Sequence, residues 1–105
     1  MANVIAYGIN SIQVTFDGST AYAPDITLRV VSFEFYPATN ADVIHVRNGS
    51  ATGVTEFYQK AAAADGVADQ RKSYEKGYEG NGKNIVPYVV GNEVSANVKL
   101  VIKYA

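Results

Sequence analysis

Residues Val94-Ser95-Ala96-Asn97-Val98-Lys99-Leu100-Val101-Ile102-Lys103-Tyr104 alternate. Val94, Ala96, Val98, Leu100, Ile102 and Tyr104 are apolar or small, and Ser95, Asn97, Lys99 and Lys103 between them are polar, with Val101 the one interruption. A period of two sends one set of side chains to a buried face and the other to water, which predicts a β-strand in an antiparallel sheet with one wet side.

The pattern recurs towards the N-terminus. Gly91-Asn92 reads as a turn before this last strand, and Ile85-Val86-Pro87-Tyr88-Val89-Val90 is apolar on both faces. Pro87 has no N–H to donate, which places that run at a sheet edge or a bulge. Gly80-Asn81-Gly82-Lys83 reads as a flexible turn, and Tyr74, Lys76 and Tyr78 share one face of a polar strand. Val54 to Lys60 and Asp42 to Arg47 are further strands, with Ile44 and Val46 on one side and Asn48-Gly49 as a turn between the two. Ile12, Val14 and Phe16 alternate cleanly up to the turn cluster Asp17-Gly18-Ser19, and a short strand over Val4 to Tyr7 precedes them, broken at Gly8.

Ile26 to Tyr36 is the longest extended run, and its parity switches. Ile26, Leu28 and Val30 share one face, and Val31, Phe33 and Phe35 share the other. One extra residue near Val30-Val31 accounts for this, either as a β-bulge or as a strand crossing between sheets. Ala61 to Ala64 is a run of alanines, which favours a short helical turn, and Ala61 to Lys72 reads as a surface connection. About six to eight short strands at roughly ten-residue spacing predict an all-β fold, an antiparallel β-sandwich of jelly-roll or immunoglobulin-like form. At most one short helical turn is expected, near residues 61–72. The chain is expected to be one domain over residues 1–105, with residues 1–25 forming its first hairpin or an arm.

Composition narrows the function classes. The 105 residues are 48% hydrophobic and 18% charged, as in a folded globule, and can bury a core without staples. The formal charge of −1 comes from nine basic and ten acidic residues spread thinly, so no electrostatic footprint for nucleic acid or anionic lipid stands out. There is no cysteine, which removes disulfides, thiol nucleophiles and thiolate metal sites together. Met1-Ala2-Asn3-Val4-Ile5 lacks the basic and apolar regions of a signal peptide, and no apolar run reaches the roughly 20 residues that span a bilayer.

The candidate chemical motifs resolve into structural readings. Gly77-Tyr78-Glu79-Gly80-Asn81-Gly82-Lys83 fits G-x-x-x-x-G-K, but Asn84 stands where a magnesium-binding hydroxyl would be, and a proline-containing β run follows instead of a helix. A hairpin is expected there. His45, the single histidine, points away from the face of Ile44 and Val46 and reads as an exposed strand residue, with Asp42 its nearest carboxylate in sequence. Asp17, Asp25 and Asp42 are too scattered for a metal site, and no G-x-S-x-G elbow is present. Asn48-Gly49-Ser50 matches a glycosylation acceptor, but without a secretion signal it reads as a turn. No catalytic residue, metal ligand or cofactor is therefore expected.

Eight tyrosines in a chain without tryptophan carry the remaining signal. Tyr74 and Tyr78 flank Lys76, and Tyr58 adjoins Phe57, so one ring of that pair faces outward. With Tyr88 they form the candidate protein-contact surface. The competing reading is that these rings stabilise the sheet by cross-strand pairing.

Val31-Ser32-Phe33-Glu34-Phe35-Tyr36-Pro37, followed by Ala41-Asp42-Val43-Ile44-His45-Val46-Arg47-Asn48-Gly49, resembles a pattern of small tailed-bacteriophage virion proteins. In those a hydrophobic strand, a hairpin and a later Lys-x-x-x-Pro-Tyr strand precede a short terminal strand. Here the later elements are Lys83-Asn84-Ile85-Val86-Pro87-Tyr88 and Asn97-Val98-Lys99-Leu100-Val101-Ile102-Lys103-Tyr104, and the resemblance covers about residues 26–105. It rests on strand and turn residues, so no binding residue carries over. It implies a β-sandwich that decorates or cements a capsid, or sits as an accessory at a head or tail surface. The expected partner is the major capsid protein or another virion protein, with self-association into a homo-oligomer such as a trimer, and neither nucleic acid nor membrane. The expected location is the virion, after synthesis in the host cytoplasm. The alternatives are a carbohydrate- or receptor-binding module of a phage fibre or adhesin, and a small enzyme using His45 as its base.

Overall fold

The C-terminal alternation lies at the centre of the larger of two sheets. A computed structural model describes residues 2–38, 42–61, 74–80 and 82–105. Among them are nine strands: β1 (Val4–Gly8), β2 (Ser11–Thr15), β3 (Leu28–Tyr36), β4 (Val43–Asn48), β5 (Thr55–Lys60), β6 (Tyr74–Gly77), β7 (Lys83–Ile85), β8 (Pro87–Tyr88) and β9 (Lys99–Tyr104). The large sheet runs β1-β2-β9-β3-β6, with β7 also on β3, and the small sheet runs β5-β4-β8. All pairings are antiparallel, and the two sheets pack face to face as a β-sandwich. No helix of the described residues is long and apolar enough to cross a membrane.

Alternation decides what fills the space between the sheets. Ile12 and Val14 of β2, Leu100 and Ile102 of β9, and Val30, Phe33 and Phe35 of β3 meet Ile44 and Val46 of β4 and Phe57 of β5. The inner rings of Phe33 and Phe57 stack, one from each sheet. The N-terminal strands β1 and β2 are woven into this body. β2 pairs with β9 along its length, and Tyr22 bridges to Val89 beyond β8.

The parity switch in β3 is a bulge. Val30 pairs with Tyr104 and Ser32 with Lys103, leaving Val31 as the extra residue. Val31 is exposed and does not share a face with Phe33 and Phe35. Those two continue the inward face of Val30, because the bulge consumes one residue of the alternation. Ile26 is also exposed and precedes the strand.

The edge beside this bulge is shared. β6 pairs with Ser32–Phe35 and β7 with Leu28–Val30, so the chain leaves β3 at Gly77 and rejoins it at Lys83. The Tyr78 N–H donates to the Val31 carbonyl at 2.9 Å, which uses the bulge as an anchor.

Two expectations are corrected. The last strand begins at Lys99, not Val94. Gly91–Glu93 forms a single 3-10 turn, and Asn97 takes a left-handed φ of 72°, although Val94 and Val98 are still buried. The strand number exceeds eight because Ile85–Val90 is not one strand: it leaves the large sheet as β7, turns at Val86 and enters the small sheet as β8. Pro87 starts β8, the strand at the edge of the small sheet, where a missing donor costs least. The helical turn expected near residues 61–72 lies outside the described residues beyond Ala61, which is buried and donates its N–H to the Asp42 carbonyl.

Candidate functional site

The small sheet has an outer face that register alone composes. Ile44 and Val46 point inward, so Val43, His45 and Arg47 point out. Residues directly opposite each other on antiparallel strands share a face. His45 lies opposite Tyr58 of β5, and Arg47 opposite Tyr88 of β8. The face therefore carries a tyrosine on each flank, with a histidine and an arginine on the strand between. Tyr58 is 54% exposed, and its ring meets the His45 imidazole edge to face at 5.4 Å.

Glu93 joins them from the 3-10 turn. Its Oε2 lies 3.3 Å from Arg47 Nη2, and its Oε1 lies 3.7 Å from His45 Nδ1. His45 Nε2 is 2.6 Å from Thr55 Oγ1. Burial and the neighbouring Arg47 lower the His45 pKa, against the pull of Glu93, which favours the neutral ring. The histidine expected to be exposed is instead mostly covered and partnered. Arg47 Nε and Glu93 Oε1 are covered and without a hydrogen-bond partner among the described residues. The guanidinium thus meets the carboxylate through one N–H and not in a closed two-bond fork, an arrangement that binds less firmly than the full pair.

Tyr74 and Tyr78 lie elsewhere. Tyr74 is opposite Phe35 on β3 and packs against it, with centroids 5.7 Å apart. Tyr78 meets Phe33 edge to face at 6.2 Å, and its hydroxyl donates to the Glu56 carbonyl at 3.2 Å. Burial first, and the Glu56 charge second, push the Tyr78 pKa up to about 12. Both rings are partly buried against the core; Tyr74 has a cross-strand partner in Phe35, whereas Tyr78 lies past the end of β6, so the two do not share one face of a strand. Of the four tyrosines proposed as one contact surface, the fold brings Tyr58 and Tyr88 onto one face and keeps Tyr74 and Tyr78 for packing.

Lys83, the lysine of the G-x-x-x-x-G-K stretch, has a structural partner. Its Nζ lies 2.9 Å from Oε1 of Glu56, a residue only 4% exposed. Glu56 sits where the β4–β5 register slips, Val46 pairing with Phe57 and Arg47 with Thr55. That bulge turns the carboxylate inward, where Asn48 Nδ2 donates to Oε2 at 3.0 Å and Lys76 Nζ to the Glu56 carbonyl at 3.0 Å. Strands stand before and after Gly77–Lys83, so no helix N-terminus is available to phosphate. Among the described residues, no three His, Asp or Glu side chains gather as metal ligands would.

Sequence reasoning missed Arg47 and Glu93. Arg47 was visible in principle, two residues from His45 and on the same parity. Glu93 gave no signal, because 46 residues separate it from Arg47. Comparison with family models, curated proteins and solved structures finds no match to this chain.

Proposed function

We propose that this chain is a non-enzymatic structural protein of a virion, a capsid decoration or cement protein attached through many copies of one modest contact. The observation that carries the reading is the outer face of the small sheet, where Tyr58 and Tyr88 flank His45 and Arg47. Tyrosine and arginine are among the residues enriched where proteins touch, since they combine a large apolar area with a polar tip. The strand-and-turn resemblance to small phage virion proteins supplies the setting. On a repeating lattice, weak single contacts sum to firm attachment. The partner is the major capsid protein or another virion protein, met by a homo-oligomer of this chain, and no cofactor takes part.

The test compares capsids lacking this protein with capsids to which it has been added back. Wild-type protein should co-sediment with particles and raise their thermal disruption temperature. The Tyr58→Ala/Tyr88→Ala double variant should fold normally and fail to bind. Equal particle stability with and without the protein rejects the cement role.

The same face favours one second reading, a carbohydrate- or receptor-binding module of a fibre or adhesin. Tyr58 exposes its ring for stacking, and Arg47 and Glu93 lie within the same cluster to meet hydroxyl groups. A glycan array with no hit removes it.

A further inference from the structure

Half of the exposed large apolar side chains among the described residues lie at one edge of the molecule. Val4 is 65%, Ile5 38%, Tyr7 74% and Ile9 97% exposed. All belong to β1 or its turn, and β1 is the terminal strand of the large sheet, exposed along its whole length. Folded proteins usually protect such an edge with charge, proline or a bulge. The other edges here have that protection: β5 carries Glu56 and Lys60, β6 carries Glu75 and Lys76, β7 carries Lys83, and β8 begins with Pro87. β1 has none, and the first charged side chain of the chain is Asp17.

The backbone of β1 is half satisfied. The Asn10 carbonyl accepts from Tyr104 N, and Phe16 N donates to the Val98 carbonyl, so the even residues of β2 turn their peptide groups towards β9. The odd ones, Ser11, Gln13 and Thr15, turn theirs towards Gly8, Ala6 and Val4. Ile5 and Tyr7 then present their N–H and C=O groups to the open edge.

We propose that β1 pairs antiparallel with β1 of a second copy of this chain, about a two-fold axis at Ala6. This deepens the homo-oligomer part of the reading above and rests on it only there, because the outer face of the small sheet takes no part. The register is self-complementary. Ile5 faces the partner's Tyr7 as a hydrogen-bonded pair, and Tyr7 faces the partner's Ile5 likewise. Ala6 meets its own copy on the axis as a non-hydrogen-bonded pair, where a small side chain suits the closer approach. Val4 faces glycine at position 8 of the second copy. Ile5 and Tyr7 lie opposite Val14 and Ile12 and so share the sandwich's inner side. There they border an open groove of about 430 Å³, lined also by Tyr22, Ala23 and Pro24, that lies beside the incoming tyrosine. Two uncharged edges meet with no like-charge repulsion. The contact is isologous and closes at two copies, whereas a trimer needs a different surface.

The 105-residue chain tests this directly. Sedimentation and light scattering across a concentration series should show twice the 11.3 kDa chain mass. Ala6→Lys sets two ammonium groups against each other on the axis and should give a monomer with an unchanged circular dichroism spectrum. Ala6→Cys, in a chain with no other cysteine, should cross-link to a disulfide dimer with oxidised glutathione. Cα atoms at a non-hydrogen-bonded pair lie about 4.5 Å apart, inside the roughly 4.4–6.8 Å range a disulfide spans. Thr52→Cys, in the exposed β4–β5 loop, should not cross-link at that rate. A monomer or trimer mass for the wild type overturns the proposal, as does a dimer that survives Ala6→Lys, or equal cross-linking of the two cysteine variants. Loss of capsid attachment by Tyr58→Ala/Tyr88→Ala with the dimer intact separates the two readings.

Discussion

The rings of Phe33 and Phe57 stack across the interior with centroids 5.6 Å apart and planes within 3°. One comes from β3 and the other from β5, so the pair joins the sheets without any backbone hydrogen bond. Phe33→Ala should cost about 3–5 kcal/mol in urea unfolding, through lost burial and the cavity left behind. Phe33→Leu should cost less. A double-mutant cycle with Phe57→Ala should leave a coupling of about 0.5–1.5 kcal/mol for the aromatic contact itself.

The second link between the sheets is polar. Glu56 is buried and takes hydrogen bonds from Lys83 and Asn48. Lys83→Met leaves the carboxylate one donor short and should destabilise the fold by about 1–3 kcal/mol. Replacing Glu56 by Gln as well should restore part of that loss, because the uncompensated charge goes. Denaturant midpoints of the single and double variants check both statements.

Two glycines with the same backbone angle should respond differently. Gly49 and Gly82 have φ of 90° and 93°, but a Cβ at Gly49 meets nothing within 4 Å, whereas one at Gly82 comes within 2.4 Å of the Val30 carbonyl oxygen. Gly49→Ala should cost about 1 kcal/mol for the left-handed conformation alone. Gly82→Ala should cost more, about 2–4 kcal/mol, since the clash is with backbone at the bulge and strand β7 must shift. The difference in melting temperature between these two variants is the measurement.

Stability should fall on both sides of neutrality. The His45 pKa lies below 6.5 in the fold, so the unfolded chain takes up its proton first as pH drops. Stability from this residue is present above pH 6.5 and declines below it. Tyr22 and Tyr78 are raised from 10 to about 12, Tyr22 by burial and the nearby Tyr7 and Tyr104. Between those values the unfolded chain loses protons that the fold retains, so stability declines as pH rises. His45→Gln should flatten the slope between about pH 7 and 5, and Tyr78→Phe should flatten the alkaline one. Unfolding free energies across pH read both.

Much of the sandwich was legible because two-residue alternation reports burial locally. Val98, Leu100 and Ile102 needed nothing from the rest of the chain to declare their face. Even the Val31 bulge was visible as a break in phase, although a crossing between sheets fitted the same break until pairing with β9 decided it. What stayed hidden depended on which strands meet. Nothing near Val86 says that Ile85 and Pro87 belong to different sheets. Tyr58 and Tyr88 share a face only because β4 pairs with β5 on one side and β8 on the other. The candidate face is a product of register, and a list of tyrosines could not separate its two members from the two that serve the core.

The path from Gly77 to Lys83 starts and finishes on the same edge of the same strand. Its span is set by its ends, so extra residues placed between Glu79 and Gly80 would lengthen a tether and leave every ladder in place. A loop closed in this way is a natural point for grafting a foreign peptide, and the molecule would carry such cargo outward as a display scaffold.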